Sequence, residues 1–294
     1  MIKNYILTKL TTIALLYSLP ANSQVLIHHT PQWFGPNANP VPEFTAAVIP
    51  AETKISLAAE SSFGFGDETQ TLHFSAEIPL IPEKVSLKFW SAAFEHYNVS
   101  DEVAAQRQML GKNSGTATGD MYVQTRIRLL EETHRRPSVV FNSTLKTSSG
   151  TGFINRRNFN TAGYYFDVEF GKSFPVEASF LNELRLGTDF GFFCWDVQTP
   201  GNNVQDDAIM YGAKILLKND SFAWENTLGG YYGWLRHIPD YGNKPLVYST
   251  KIAYKRQVTQ YFLQYTRGIQ HFPFHQMMAG ASFSLKNLTP DFAN

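Results

Sequence analysis

The stretch GYYFDVEFGKSFP, residues 163–175, sorts its side chains into two sets with opposite solvent preferences. Tyr164, Phe166, Val168 and Phe170 are apolar, whereas the interleaved Tyr165, Asp167 and Glu169 include two carboxylates. At the two-residue period of a β-strand, the apolar set lines one face and the acids line the other. The same alternation recurs from residue 53 onward. Leu72, Phe74 and Ala76 oppose His73, Ser75 and Glu77; Leu87 and Phe89 oppose Lys88; Ile127 and Leu129 oppose Arg126 and Arg128. Phe141 and Leu145 oppose Lys146; Leu184, Leu186 and Phe190 oppose Glu183, Arg185 and Asp189; Ala213 and Ile215 oppose Lys214. Trp224 and Leu228 oppose Glu225, and Ile252 and Tyr254 oppose Lys251. With a first strand over 53–63, this makes about 12 segments, each near the ~9–11 residues that a tilted strand needs to cross a bilayer.

Connection lengths alternate as well. Tight turns at 81–84, 219–221 and 256–258 contrast with polar loops at 101–119, 148–160, 196–206 and 236–245. Short turns on one rim and long loops on the other are how outer-membrane barrels are built. The expected fold is therefore all-β: a transmembrane up-and-down antiparallel β-barrel over 53–285, with N- and C-termini periplasmic. A soluble barrel would also alternate, with its apolar face inward. The membrane arrangement is favoured by Trp224, Tyr232, Trp234, Tyr248, Tyr254, Tyr261 and Tyr265, which lie on the apolar phase near strand ends and suit an interfacial aromatic girdle. A Lys or Arg facing lipid at mid-bilayer would cost about 2–4 kcal/mol, and the strand bases fall on the polar phase.

The chain opens with Lys3 and Lys9, an apolar run from Leu10 to Leu19, and the small residues of Ala21-Asn22-Ser23, the pattern of a cleaved secretory signal over 1–23. Losing two lysines and no acid takes the net charge from +0 to −2, which gives no reason to expect nucleic acid. Cys194 is the sole cysteine, so no internal disulfide forms. Residues 24–52 are Pro-rich and aperiodic, a lead-in whose Trp33-Phe34 pair could pack on a barrel mouth, and 286–294 form a tail.

The polar phase defines the candidate site: Glu77, Lys88, Arg126, Arg128, Lys146, Asp167, Glu169, Glu183, Arg185, Asp189, Lys214, Glu225 and Lys251, expected to line the lumen. Bases on the third to fifth strands face acids mainly on the sixth and seventh. Two readings stay open: a transverse field that orients small polar solutes, or an ion-pair network that braces the wall. No enzyme is expected, since no Gly-x-Ser-x-Gly stretch or convergent Ser, His and Asp set occurs. His271 and His275 are spaced four apart in a loop, and neither a metal nor a cofactor is expected. Asp206, Asp207 and Asp240 are weak candidates for divalent ions bridging lipopolysaccharide.

The stretch GDMYVQTRIRLLEETHRRPSVVFNSTLKTSSGTG (119–152), followed by GYYFDVEFGKSF, resembles the outer-membrane barrels described as the MetA pathway of phenol degradation. WFGPNANPVPEF and QDDAIMYG resemble outer-membrane proteins of the Bacteroidota. The resemblance implies an exported barrel that transports hydrophobic or small organic molecules and carries over no catalytic residue. The expected protein is a Gram-negative outer-membrane barrel, porin-like, passing or binding a small solute and contacting lipid and lipopolysaccharide. The alternative is a non-conducting accessory subunit of an assembly or secretion complex, docking other outer-membrane proteins through its lead-in, loops or tail.

Overall fold

The structure, a computed structural model, describes residues 31–159, 161–177, 180–195, 207–234 and 242–290. The signal segment, the first residues of the lead-in, Asp206, Asp240 and the last four residues of the tail lie outside the described residues.

Strands β1 (Thr53–Phe63), β2 (Asp67–Ile81), β3 (Val85–Val99), β4 (Ser114–Ala117), β5 (Tyr122–Leu130), β6 (Ser138–Lys146) and β7 (Gly163–Pro175) are followed by β8 (Glu183–Cys194), β9 (Asp207–Lys218), β10 (Phe222–Gly233), β11 (Leu246–Arg256), β12 (Thr259–Gln270) and β13 (His275–Leu285). Twelve of them form a closed antiparallel wall: β1 pairs with β2 on one side and with β13 on the other, from Thr53↔Leu285 to Phe63↔His275. The thirteenth, β4, is a four-residue strand paired to the end of β3 beyond the last β3–β5 pair. Closure leaves the wall without an unpaired edge, which a lipid-facing sheet requires. The shortest wall strands have nine residues and at ordinary rise and tilt cover about 23 Å, close to the apolar band of an outer-membrane barrel.

The outward face is apolar around the circumference. Leu57, Leu72, Ile127, Leu145, Phe166, Phe190, Ile215, Ile252 and Leu263 are all exposed on it. An apolar surface of this extent is far beyond the patches that soluble monomers present to water. Among the described residues no helix is long and apolar enough to cross a membrane.

A β-bulge at Ala93 resets the inward phase of β3. Below it His73 pairs with Ala92 and Glu77 with Lys88; above it Leu72 pairs with Phe94 and Thr71 with Glu95. The extra residue moves the inward set from even to odd numbers, so that Glu95, Tyr97 and Val99 face the axis.

The Trp33-Phe34 pair sits at the long-loop end, and from there residues 31–52 run down the inside of the barrel to the start of β1. Phe34 sits among loop residues, with Phe159 4.5 Å away edge to face, whereas Thr53 pairs with Leu285 at the opposite rim. The described chain thus begins at the long-loop end, while the wall begins and ends at the short-turn rim. The cause is the need of an aperiodic backbone for partners: deep in a barrel, its amides and carbonyls must find them on the wall. The tail turns under the barrel, where Thr289 Oγ1 accepts from Thr53 N (2.8 Å) and Thr53 Oγ1 donates to Leu288 O (3.1 Å).

Candidate functional site: a lumen shared with the lead-in

Close approach of the lead-in to β7, β8 and β9 depends on glycines. A Cβ at Gly171 would meet Ala46 O at 1.9 Å, one at Gly187 would meet Ala46 Cβ at 2.2 Å, and one at Gly212 would meet the Phe44 ring at 2.4 Å. At this contact Ala46 and Ala47 both take positive φ, 58° each, a conformation that non-glycine residues rarely adopt. The turn leaves amides pointing at one carboxylate. Thr45 N and Ala47 N both donate to Glu169 Oε2, at 2.9 and 2.7 Å, with Thr45 Oγ1 adding a third bond at 3.0 Å. Such convergent amides are an anion nest, here filled by the wall's own acid.

Carbonyls of the same turn are taken by wall bases. Arg185 Nε donates to Ala46 O (2.9 Å), Arg126 Nη1 to Val48 O (3.0 Å), and Lys214 Nζ to Phe44 O. Arg126 also pairs with Glu77 (2.8 Å) and Glu169 (3.3 Å) and donates to Asn142 Oδ1 (3.1 Å). Asn142 donates in turn to Asp167 and Glu169. Asp189 stands opposite Glu169 in the β7–β8 register, and its Oδ1 has no hydrogen-bond partner among the described residues. Asp167, Glu169 and Asp189 are at most 4% exposed, so this side of the lumen is dry.

A second network lies at the long-loop end. Arg157 holds Asp67 (2.9 Å) and Glu95 (2.6 Å), Arg107 also holds Asp67, and Asn37 of the lead-in donates to Glu95 (2.7 Å) and Thr71 (2.9 Å). These charges are essentially unexposed. Burial works against the Arg157 charge, but Glu95 and Asp67 outweigh it and hold its pKa above the ordinary value; at Arg107 burial wins and the pKa is lowered. The Arg157 guanidinium lies 4.6 Å from the Tyr97 ring centroid and packs on Gly35, where a Cβ would come within 2.4 Å of it. Around this end Trp195, Tyr231, Phe272 and Phe274 are buried too.

The opposite side of the lumen is different. Inward residues of β1, β2 and β10–β13, such as Ser56, Ser75, Thr227, Ser249 and Met278, are only half-buried. Lys88 lies over the Trp90 ring (4.9 Å) and Lys251 over the Phe262 ring (4.5 Å); Lys54 of β1 donates to Gln260 Oε1 (3.2 Å). Lys214 and Glu225 pair at 3.2 Å. At the short-turn rim a recess of about 620 Å³ is lined by Glu183, Lys218, Asp220, Lys255 and Gln260.

The expected lumen residues therefore divide. Glu77, Arg126, Asp167, Glu169, Arg185 and Asp189 come together around the lead-in, whereas Lys88, Lys214, Glu225 and Lys251 face the wetter passage. Lys146 pairs higher up with Asp120 (3.2 Å) and lies over Phe159. Glu183 meets Lys218 (3.0 Å) at the short-turn rim, and Arg128 lies 4.0 Å from Glu83 there. Trp224, Tyr232, Trp234, Tyr248, Tyr254 and Tyr261 are exposed on the outer face and Tyr265 is half-buried, its hydroxyl 2.8 Å from His275 Nδ1. Trp224, Tyr254 and Tyr261 lie toward the short-turn rim, and Tyr232, Trp234 and Tyr248 toward the long-loop rim. His271 accepts from Lys244 N instead of sharing a site with His275.

Period-two reading missed Glu43, Lys54, Asp67, Glu95, Arg107 and Arg157. Glu95 is hidden by the bulge, Asp67 by its place at a strand start, and the two arginines by lying in loops that fold inward. Lys54, next to Thr53 in the first strand, was legible from the alternation.

No family model matches the chain, and no curated protein does. Among solved structures, the chain is similar to an outer-membrane channel from Pseudomonas putida F1, with a TM-score of 0.57 at 11% identity over 84% of this chain and 100% of that one. It is also similar to the NanC porin, with a TM-score of 0.54 at 10% identity over 79% of this chain and all of that one. The shared feature at this identity is the fold, that of outer-membrane channels.

Proposed function

We propose that the protein is a barrel of the Gram-negative outer membrane, exported by a cleaved signal, that passes a small solute along one side of a lumen occupied on the other by its own lead-in. The observation that carries this reading is the asymmetry of the inward face. The β5–β8 side is dry and bonded to the lead-in, and the β1–β2 and β10–β13 side keeps half-buried polar groups. A barrel that served only as a solid brace would bury both sides. The aromatic rows near the two rims suit the headgroup regions, with lipid and lipopolysaccharide as surroundings. Both termini of the wall are assigned to the periplasmic side because the long loops of such barrels face outward. The chain is read as a non-enzyme, since the inward side chains form ion pairs and hydrogen bonds with the lead-in instead of a nucleophile–base set.

The buried ion-pair network at the long-loop end favours a second reading, a non-conducting barrel acting as a subunit of an assembly or secretion complex. Planar-bilayer recordings separate the two. Purified protein should show discrete openings, and deletion of residues 31–49 should enlarge them several-fold. Silence from both proteins, with co-migration in a large complex after mild detergent extraction, contradicts the channel.

A further inference from the structure

Glu43 is a carboxylate that the lead-in itself carries into the passage. It is water-exposed yet lies inside the wall, and its Oε1 accepts from Gln264 Nε2 at 2.9 Å. The ammonium groups of Lys251, Lys214 and Lys88 all act on its charge. Of the inward lysines here, Lys214 is neutralised by Glu225, and Glu77 is taken by Arg126. Lys54, Lys88 and Lys251 have no carboxylate within 4.0 Å among the described residues. Lys88 and Lys251 instead lie over aromatic rings, and Lys54 has only a neutral amide. The passage therefore carries more ammonium than its own acids satisfy, in a confined space where charge is weakly screened.

We infer that these lysines, with the Gln264 amide, form a binding site for a small carboxylate solute, and that Glu43 is its tethered competitor. A free carboxylate would replace the Glu43 group by taking the same amide bond and the same ammonium field. The tether sets the selectivity: a solute must outcompete an acid held in place by the chain, so a dianion is favoured over a monoanion of equal size. The inference deepens the small-solute reading, because the site lies in the passage proposed above, but binding does not depend on conduction.

The test is isothermal titration of the full chain in detergent micelles with succinate, against sodium chloride at equal ionic strength. Wild type should bind succinate, Glu43→Gln should bind it at least threefold tighter, and Lys88→Gln/Lys251→Gln should lose at least tenfold. Single Lys88→Gln and Lys251→Gln variants, each expected to weaken binding about threefold, keep the test open if the double variant does not fold. Glu43→Gln binding no tighter than wild type, or succinate bound equally well without the two lysines, overturns the site. A silent bilayer recording with succinate binding intact removes the channel and leaves the site standing.

Discussion

The two sides of the lumen use the same residue types to opposite ends. On β5–β8, most charges that face inward meet an opposite charge or a backbone group of the lead-in: Glu169 fills a nest of two amides, and Arg185 and Arg126 cap the carbonyls of Ala46 and Val48. On β3 and β11, Lys88 and Lys251 lie over aromatic rings with no carboxylate within 4.0 Å among the described residues. Dry, saturated charges order a backbone, and wet, unsaturated ones leave a field for something else to enter. The sides should consequently respond differently to substitution.

The largest effect is expected at Arg126→Met, which strands Glu77 and Glu169 in the interior. Breaking a buried pair from one side costs about 3–5 kcal/mol, read as a lower midpoint of thermal unfolding in detergent. Gly187→Ala should come next. Its Cβ would meet Ala46 at 2.2 Å, and overpacking of this kind costs about 1–3 kcal/mol. Because the strain is relieved by moving the lead-in, the variant should also conduct more than wild type. Asp189→Asn should act in the opposite direction: it removes one of two acids directly opposed across β7 and β8, and relief of that repulsion should raise stability by up to about 1 kcal/mol. Lys88→Gln should alter stability by less than about 0.5 kcal/mol while changing succinate binding. A Lys88 variant as destabilised as Arg126→Met would erase the distinction between the sides.

The wall was legible from residue order alone. Tyr164, Phe166, Val168 and Phe170 against Tyr165, Asp167 and Glu169 state an inside and an outside, and alternating loop lengths state two rims. What lay beyond that reading has a common physical cause. The lead-in has no period because its partners are spread over several strands: Asn39 meets Tyr231, Thr45 meets Glu169, and Ala46 meets Arg185. Hydrogen bonds at separations above 100 residues leave no local pattern. At Ala93 a single extra residue inverts the alternation, so Glu95 reads as outward and turns inward. The transverse field suggested by bases on one run of strands and acids on the next is largely spent in pairing, Arg126 with Glu169 and Arg185 with Glu132. Of the bases with no carboxylate within 4.0 Å among the described residues, Lys88 belongs to that run, and Lys54 and Lys251 lie on β1 and β11.

Thiol labelling tests the two-sided lumen most directly. With the native buried thiol removed by Cys194→Ala, cysteine would be placed at Thr144 on the dry side or at Lys251 on the wet side, and each protein exposed to a small charged methanethiosulfonate in detergent. The Lys251→Cys thiol should react at least a hundredfold faster than the Thr144→Cys thiol, and deleting residues 31–49 should abolish the difference. Equal rates in the full-length chain would contradict a lead-in seated against β5–β8.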